Sequence, residues 1–297
     1  PTAPSRRVRL DEILHWDGVE NLFDELMERY AFRTGLAGVQ PKVLVPEESA
    51  PDGKASMATG DLIVKAGGAQ YPGLAVNEFV CMSIAKAAGI DVPAFYLSDN
   101  RQLLVVRRFD RDPDGKALGF EDMAVLMGKR ASDKYVGSYE QIARAIALYC
   151  HPDRVAEQLR QFFDQVALSC IVGNGDAHLK NFGLIYTHPD ANDARLAPAF
   201  DIVNTTAYIP EDGLALTLGG SKSLFASRLH LVTLAERLGI PDPADRVRRI
   251  LEAVDTTLRK HSELLEEHPG IEQAIRAGWL QFSKTFDKKP VPKNSSQ

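Results

Sequence analysis

Gly173-Asn174-Gly175-Asp176-Ala177-His178-Leu179-Lys180-Asn181-Phe182 is a polar loop between an apolar helix ending at Val172 and a short apolar strand, Gly183-Leu184-Ile185. Asp, His, Lys and Asn fall within the six residues 176–181. A bland surface loop is not ordinarily flanked so tightly by apolar segments. Functional groups concentrate on loops that a rigid scaffold positions.

Downstream, Pro198-Ala199-Phe200-Asp201-Ile202-Val203-Asn204 holds one acid in an apolar stretch. Alone, Asp201 reads equally well as a helix N-cap. Its spacing from the first loop favours chemistry. Asp176, then Asn181, then Asp201 after a hairpin-sized gap is the order that phosphoryl transfer from ATP needs. One acid orients or deprotonates the acceptor hydroxyl. An Asn and a second acid hold Mg²⁺, which takes hard oxygen ligands and needs few from the protein. His178 and Lys180 are placed to offset phosphate charge, although His178 alone also reads as a hydrogen-bonded structural residue.

Upstream lie the complementary parts. Leu10–Arg29 has apolar residues at helical spacing, with Asp11 as its N-cap. A small-residue loop from Thr34 to Gly38 then runs into a strand ending at Val45. Its backbone N–H groups suit phosphate, but a lone Gly-x-x-Gly also reads as a plain turn. Residues 46–60 form a turn-rich hairpin loop, and Asp61–Lys65 is a second strand. Lys65 is either a snorkelling surface residue or the strand lysine that contacts the α- and β-phosphates. Residues 75–89 read as a helix carrying Glu78, a partner for Lys65, with Gly89 as a C-cap. Val92–Leu97 and Leu103–Phe109 are strands joined by a turn at Ser98–Arg101.

A turn cluster at residues 112–116 marks a lobe boundary. Helices follow at 138–150, 153–173, 226–239, 243–266 and 269–283, with a strand-and-loop section at 174–223. Ser221-Lys222-Ser223 reads as an ordinary glycine turn or as a substrate contact. Arg246, Arg248 and Arg249 read as a solvated helix face. The expected fold is α+β and bilobal. A small mixed α/β lobe covers 1–110, a mainly helical lobe covers 111–286, and 287–297 is a disordered tail.

Composition sets the outer limits. The chain has 297 residues, 44% hydrophobic and 25% charged, with a formal net charge of -5. That argues against direct, strongly basic nucleic-acid binding. Cys81, Cys150 and Cys170 are far apart, sit among apolar residues and form no CxxC or Cys/His cluster. Buried reduced thiols follow, and with them a cytoplasmic protein. No apolar run approaches the ~18 residues of a membrane span. The first residues have no apolar stretch of the signal-peptide kind.

The sequence resembles the HipA-type serine/threonine kinase toxins of bacterial toxin–antitoxin systems. The resemblance rests on Gly35-Leu36-Ala37-Gly38-Val39-Gln40-Pro41-Lys42, Asp61–Lys65, Asn77-Glu78-Phe79, Val105–Arg111, Asn174–Asn181 and Phe200-Asp201, in family order. It implies a bilobal protein-kinase-like fold, with ATP and Mg²⁺ as cofactors. Asp176 would be the catalytic base, assisted by His178 and Lys180, and Asn181 and Asp201 the metal ligands. Gly35, Ala37, Gly38 and Val39 would cover the phosphates, and Lys65 would bind them. Arg107 and Phe109 would offer backbone groups to adenine, and Asp110 would reach the ribose.

The resemblance further implies a protein substrate, an aminoacyl-tRNA synthetase, whose phosphorylation stalls translation and growth. The implied partner is a helix-turn-helix antitoxin, so any link to DNA is indirect. Long members begin with an additional N-terminal subdomain. Here the glycine loop starts near residue 34, like the short, HipT-like form in which a separate small protein supplies that part. The family often carries a regulatory serine where this chain has Gly35 and Ala37, which leaves Thr34 as the nearby hydroxyl. Two other classes compete: a small-molecule phosphotransferase, which can use the same Asp…Asn…Asp order, and an inactive pseudokinase that sequesters a partner.

Overall fold

The computed structural model describes residues 8–16, 21–30, 40–47, 62–112 and 114–286. Its first unit is a four-stranded antiparallel sheet, ordered β1-β2-β4-β3, from β1 (Lys42–Val45), β2 (Leu62–Ala66), β3 (Phe95–Leu97) and β4 (Leu103–Arg107). Alternation gives the sheet two faces. Val43, Val45, Leu62, Val64, Leu103 and Val105 point to one side, against α1 (Leu10–Leu14) and α2 (Leu22–Tyr30). Leu104 and Val106 point to the other, against α3 (Leu74–Ala87). Lys42 and Lys65 share that second face, directly opposite each other.

The second unit holds a three-stranded sheet, β5 (Gly119–Asp122), β6 (Gly183–Tyr186) and β7 (Arg195–Leu196), ordered β5-β6-β7. Around it pack α4 (Met123–Leu126), α5 (Tyr139–Tyr149), α6 (Pro152–Val172), α7 (Leu224–Leu238), α8 (Pro243–Lys260), α9 (Ser262–Glu266) and α10 (Pro269–Phe286). α5 starts on a capping box between Ser138 and Gln141. α6 starts with Pro152 in its first turn and stops at Gly173, whose φ of 69° ends the helix. The residues of α6 from Phe162 to Val172 are buried, so the helix is the axis of this unit. It delivers the chain, at Gly173, into the polar loop.

The structure corrects several sequence expectations. The single helix expected over Leu10–Arg29 is two helices. The Leu14 carbonyl accepts the Asp99 N–H, which stops α1. Arg9, not Asp11, precedes α1, and the Arg9 guanidinium holds Asp11 in its first turn. The helix expected over 243–266 breaks at His261, whose ring packs edge-on against Phe79 of α3. The strands are shorter than expected: Phe95–Leu97 and Leu103–Arg107. Phe109 leaves the sheet to pack with Phe120 and Phe200.

β5 and α4 were not anticipated. β5 approaches β6 closely because Gly183 lacks a Cβ, which would fall 2.5 Å from the Phe120 ring. The arginine face is not simply solvated: Arg246 and Arg249 both bond to the buried Asp164 of α6, at 2.8 and 2.7 Å. Gly89 ends α3 as expected, with φ 72°, one residue beyond the cap at Ala88. All three cysteines are free and buried. Among the described residues no helix is long and apolar enough to cross a membrane. Residues 48–61 of the expected hairpin loop and its second strand, and the tail from 287, lie outside the described residues.

Candidate active site

The cleft between the two units measures about 1050 Å³. Asp176, His178, Lys180, Asn181, Asp201 and Lys42 are among its lining residues. The glycine-loop residues Thr34, Gly35, Ala37, Gly38 and Val39 lie outside the described residues.

Lys65 is 6% exposed and sits where β2 faces α3. Its Nζ donates to Glu78 Oε1 at 2.5 Å and to Asp201 Oδ1 at 2.7 Å. Snorkelling is therefore excluded. Burial disfavours the ammonium, but the charges of Asp201 and Glu78 outweigh it and raise the Lys65 pKa. Burial also opposes ionisation of Asp201, yet the adjacent Lys65 holds that carboxyl well below its ordinary value. Glu78 moves the other way: burial, only partly offset by Lys65, pushes it up. The set carries one firm cation, one firm anion and one carboxyl close to neutrality.

Asp201 adopts a left-handed backbone, φ 57°. For a residue other than glycine this costs about 1–2 kcal/mol. The segment beyond it is held by reciprocal amide bonds. Asn77 Nδ2 donates to the Asn204 carbonyl and the Asn204 N–H donates to Asn77 Oδ1, both at 2.8 Å. Asn204 in turn donates to the carbonyl of Val172 at the end of α6. α3, the Asp201 segment and the polar loop are thus one buried assembly.

Inside the loop, the Asp176 N–H donates to Asn174 Oδ1 at 3.0 Å. Asn181 Nδ2 donates to the Asp176 carbonyl at 2.7 Å, which leaves Oδ1 as the acceptor of that amide. The Gly175 N–H donates to Thr205 Oγ1 at 2.8 Å. A Cβ on Gly175 would lie 2.0 Å from Asp212 Oδ2, so the loop's close approach requires glycine here. His178 is buried with its ring edge-on to Tyr135, and its Nε2 lies 3.8 Å from Asp176 Oδ1. Burial lowers its pKa, which favours neutral imidazole; Asp176 opposes this. Lys180 Nζ is held by Asp122 Oδ2 at 2.7 Å, and the other oxygen of Asp122 caps α4.

The structure thus brings Lys65, Glu78, Asp176, His178, Lys180, Asn181 and Asp201 together. Arg107, Phe109 and Asp110 stand apart. The Arg107 side chain lies on the far face of the sheet, paired with Glu47. Its N–H already donates to the Ala94 carbonyl, at 2.8 Å, and so is taken. Asp110 is paired with Arg108. Phe109 reaches the cleft only through Phe200, at 5.2 Å between ring centres.

Lys42, Lys134, Tyr135 and Asp212 are among the cleft residues that carried no separate signal as site residues. Lys42 was detectable, since it opposes Lys65 once the strands are paired. Tyr135 was not. Lys222 is in the cleft wall, and Gly219 and Gly220 beside it, both at positive φ, form a tight turn, as the turn reading expects.

No group of three or more His, Cys, Asp or Glu suited to a metal occurs among the described residues. Asn181 and Asp201 instead offer two hard oxygen donors on one cleft wall. That fits a magnesium ion whose remaining ligands are phosphates and water.

The HipA-like C-terminal domain family model matches residues 34–261. "Putative kinase Y4dM" of Sinorhizobium fredii is 35% identical over 246 residues, covering 74% of this chain and 58% of that protein. "Putative kinase Y4mE" of the same organism is 30% identical over 293 residues, covering 90% and 66%. A "Putative kinase" of Haemophilus influenzae is 34% identical over 189 residues, covering 58% and 53%. The chain therefore spans less than two thirds of the curated relatives it matches. A solved structure of a Shewanella oneidensis toxin–antitoxin HipA, in complex with HipB and operator DNA, has a TM-score of 0.67 and 21% identity. It covers 94% of this chain and 67% of that one. The likeness to this structure is one of fold.

Proposed function

The chain belongs to the HipA-like C-terminal domain family, and from that premise we propose that it is an ATP-dependent protein kinase acting on serine or threonine. The carrying observation is the Lys65 ammonium bridging Glu78 and Asp201 in one cleft with Asp176 and Asn181. Lys65 meets the α- and β-phosphates, and Lys180, steadied by Asp122, offsets further phosphate charge. Asp176 takes the proton of the acceptor hydroxyl. Asn181 and Asp201 are the residues that would hold Mg²⁺, which neutralises phosphate charge when bound. The adenine end lies toward Phe109, which packs on the cleft residue Phe200, and Asp110 reaches the ribose only by releasing Arg108.

The wider role we propose is that of a toxin. The acceptor is an aminoacyl-tRNA synthetase, and a helix-turn-helix antitoxin makes the link to DNA. The setting is the cytoplasm. The HipA–HipB–DNA composition of the solved structure of like fold supports the antitoxin part of this reading.

Asp176→Asn tests the chemistry. General-base catalysis contributes ~10²–10⁴-fold, so γ-³²P transfer to lysate protein should fall by that order while nucleotide binding by calorimetry persists. Undiminished transfer in the variant sinks the base assignment. Label that moves only to small metabolites in the wild type sinks the protein-kinase reading.

A further inference from the structure

We propose that Tyr135 is itself a phosphate acceptor, modified within its own chain by this cleft. The proposal rests on the reading of the chain as an ATP-dependent kinase and extends its acceptors from serine and threonine to a tyrosine.

A base can serve an acceptor only when the hydroxyl lies within hydrogen-bond reach. Tyr135 Oη donates to Asp176 Oδ1 at 2.5 Å. Two other hydroxyls of the cleft wall, those of Thr205 and Tyr208, are directed elsewhere. Thr205 donates to Asp212, and Tyr208 donates to the Pro72 carbonyl at 3.2 Å. Tyr135 therefore makes the bond to Asp176 that a substrate hydroxyl would make, and effective concentration favours a group already in place.

The surroundings drive the product off the base, since Asp176, Asp212 and Asp201 are the charges that act on the hydroxyl. Lys134 Nζ lies 4.8 Å from the Tyr135 ring centre, and Lys222 Nζ donates to the Tyr135 carbonyl at 3.3 Å. A phosphate on Oη cannot keep the bond to a carboxylate and must swing away from Asp176; Lys134 is the cation beside the ring, while Lys222 is held at the main-chain carbonyl. The side chain is 41% exposed, so it can leave Asp176 without emptying a packed core. In the step itself, Oη attacks the γ-phosphorus of ATP. The Oη–P bond forms, the β,γ-bridging P–O bond breaks, ADP leaves, and the phenolic proton passes to Asp176.

The test incubates the full chain with [γ-³²P]ATP and Mg²⁺ and maps the label by fragmentation of the tryptic peptide Tyr135–Arg144. That peptide also holds Ser138 and the buried Tyr139, so the site must be read from fragment ions. The expected result is phosphate on Tyr135, lost in Tyr135→Phe and in Asp176→Asn. The initial rate per molecule should be unchanged over a tenfold range of protein concentration. Label elsewhere in the chain, or only on an added protein, overturns the inference and leaves the kinase reading intact. So does a per-molecule rate proportional to protein concentration, since that makes the transfer intermolecular. Label only on water, or no γ-phosphate transfer to any acceptor, overturns both.

Discussion

Lys42 and Lys65 stand opposite each other on adjacent strands, an arrangement that ordinarily destabilises a sheet. It persists because Lys65 turns into two carboxylates, while Lys42 lines the cleft, where burial lowers its pKa. Lys65→Met tests what the bridge holds. With the lysine gone, Glu78 is expected to take a proton rather than remain a stranded charge, because burial already disfavours its ionised form. Asp201, which Lys65 holds ionised, is left without its cation, so a loss of roughly 3–5 kcal/mol at pH 7 is expected. Nucleotide affinity should fall at least ~10-fold, since a phosphate contact to a charged donor contributes about 1.5–3 kcal/mol. The sign with pH follows from Asp201, whose pKa Lys65 depresses. That stabilisation is present above the unfolded carboxylate value of about 3.9 and is lost as pH falls below it. The melting-temperature gap between wild type and variant should narrow from pH 7 to pH 3. A gap that widens on acidification refutes the assignment.

α3 is where the small unit becomes part of the site, because it carries both Glu78 and Asn77. Asn77 is fully buried, and its amide satisfies the N–H and carbonyl of Asn204. Asn77→Ala strands both groups at about 1–3 kcal/mol each. A loss of about 2–4 kcal/mol in denaturant unfolding is expected, with weaker nucleotide binding, because Asn204 is three residues past Asp201. A loss under about 1 kcal/mol would mean that the amide pair does not hold the segment. This tie was invisible in the sequence, where Asn77 and Asn204 are 127 residues apart. The loop at 173–182 was legible because its chemistry is local: Asp176 and Asn181 lie within one turn of chain, after a helix with a glycine stop. Lys65 with Glu78 was legible because one strand and the next helix carry them. β5 was not, because all four of its residues are half-buried and show no alternation. Nor was the break at His261, which answers to Phe79 in a distant helix. Tyr135 needed the tertiary fold to reach Asp176 across 41 residues.

At the scale of the whole chain, the main hydrophobic core does not stop at the turn cluster near residue 112. Val76, Val80, Cys81 and Ile84 of α3 belong to the same buried cluster as Phe162, Cys170 and Ile250 of the helical unit. The sheet has its own smaller core on the opposite face, against α1 and α2. A helix shared in this way couples the two units, so the cleft should open by local movement more than by free rotation of one unit on the other. The cysteines report on this directly. Burial pushes the Cys81 and Cys170 thiols up to about 12 and Cys150 up to about 11. The thiolate is the reactive species, so none of the three should react with a disulfide reagent at pH 8 in the folded protein, and all three should react after unfolding. Cys81 lies on α3 and Cys170 on α6. If the shared core makes unfolding cooperative, both become reactive at one urea midpoint, read by mass spectrometry of pulse-labelled peptides. Exposure of Cys81 at a distinctly lower midpoint than Cys170 would show that α3 detaches first. The two carboxylates facing Lys65, one on α3 and one on the helical unit, would then be separable without global unfolding.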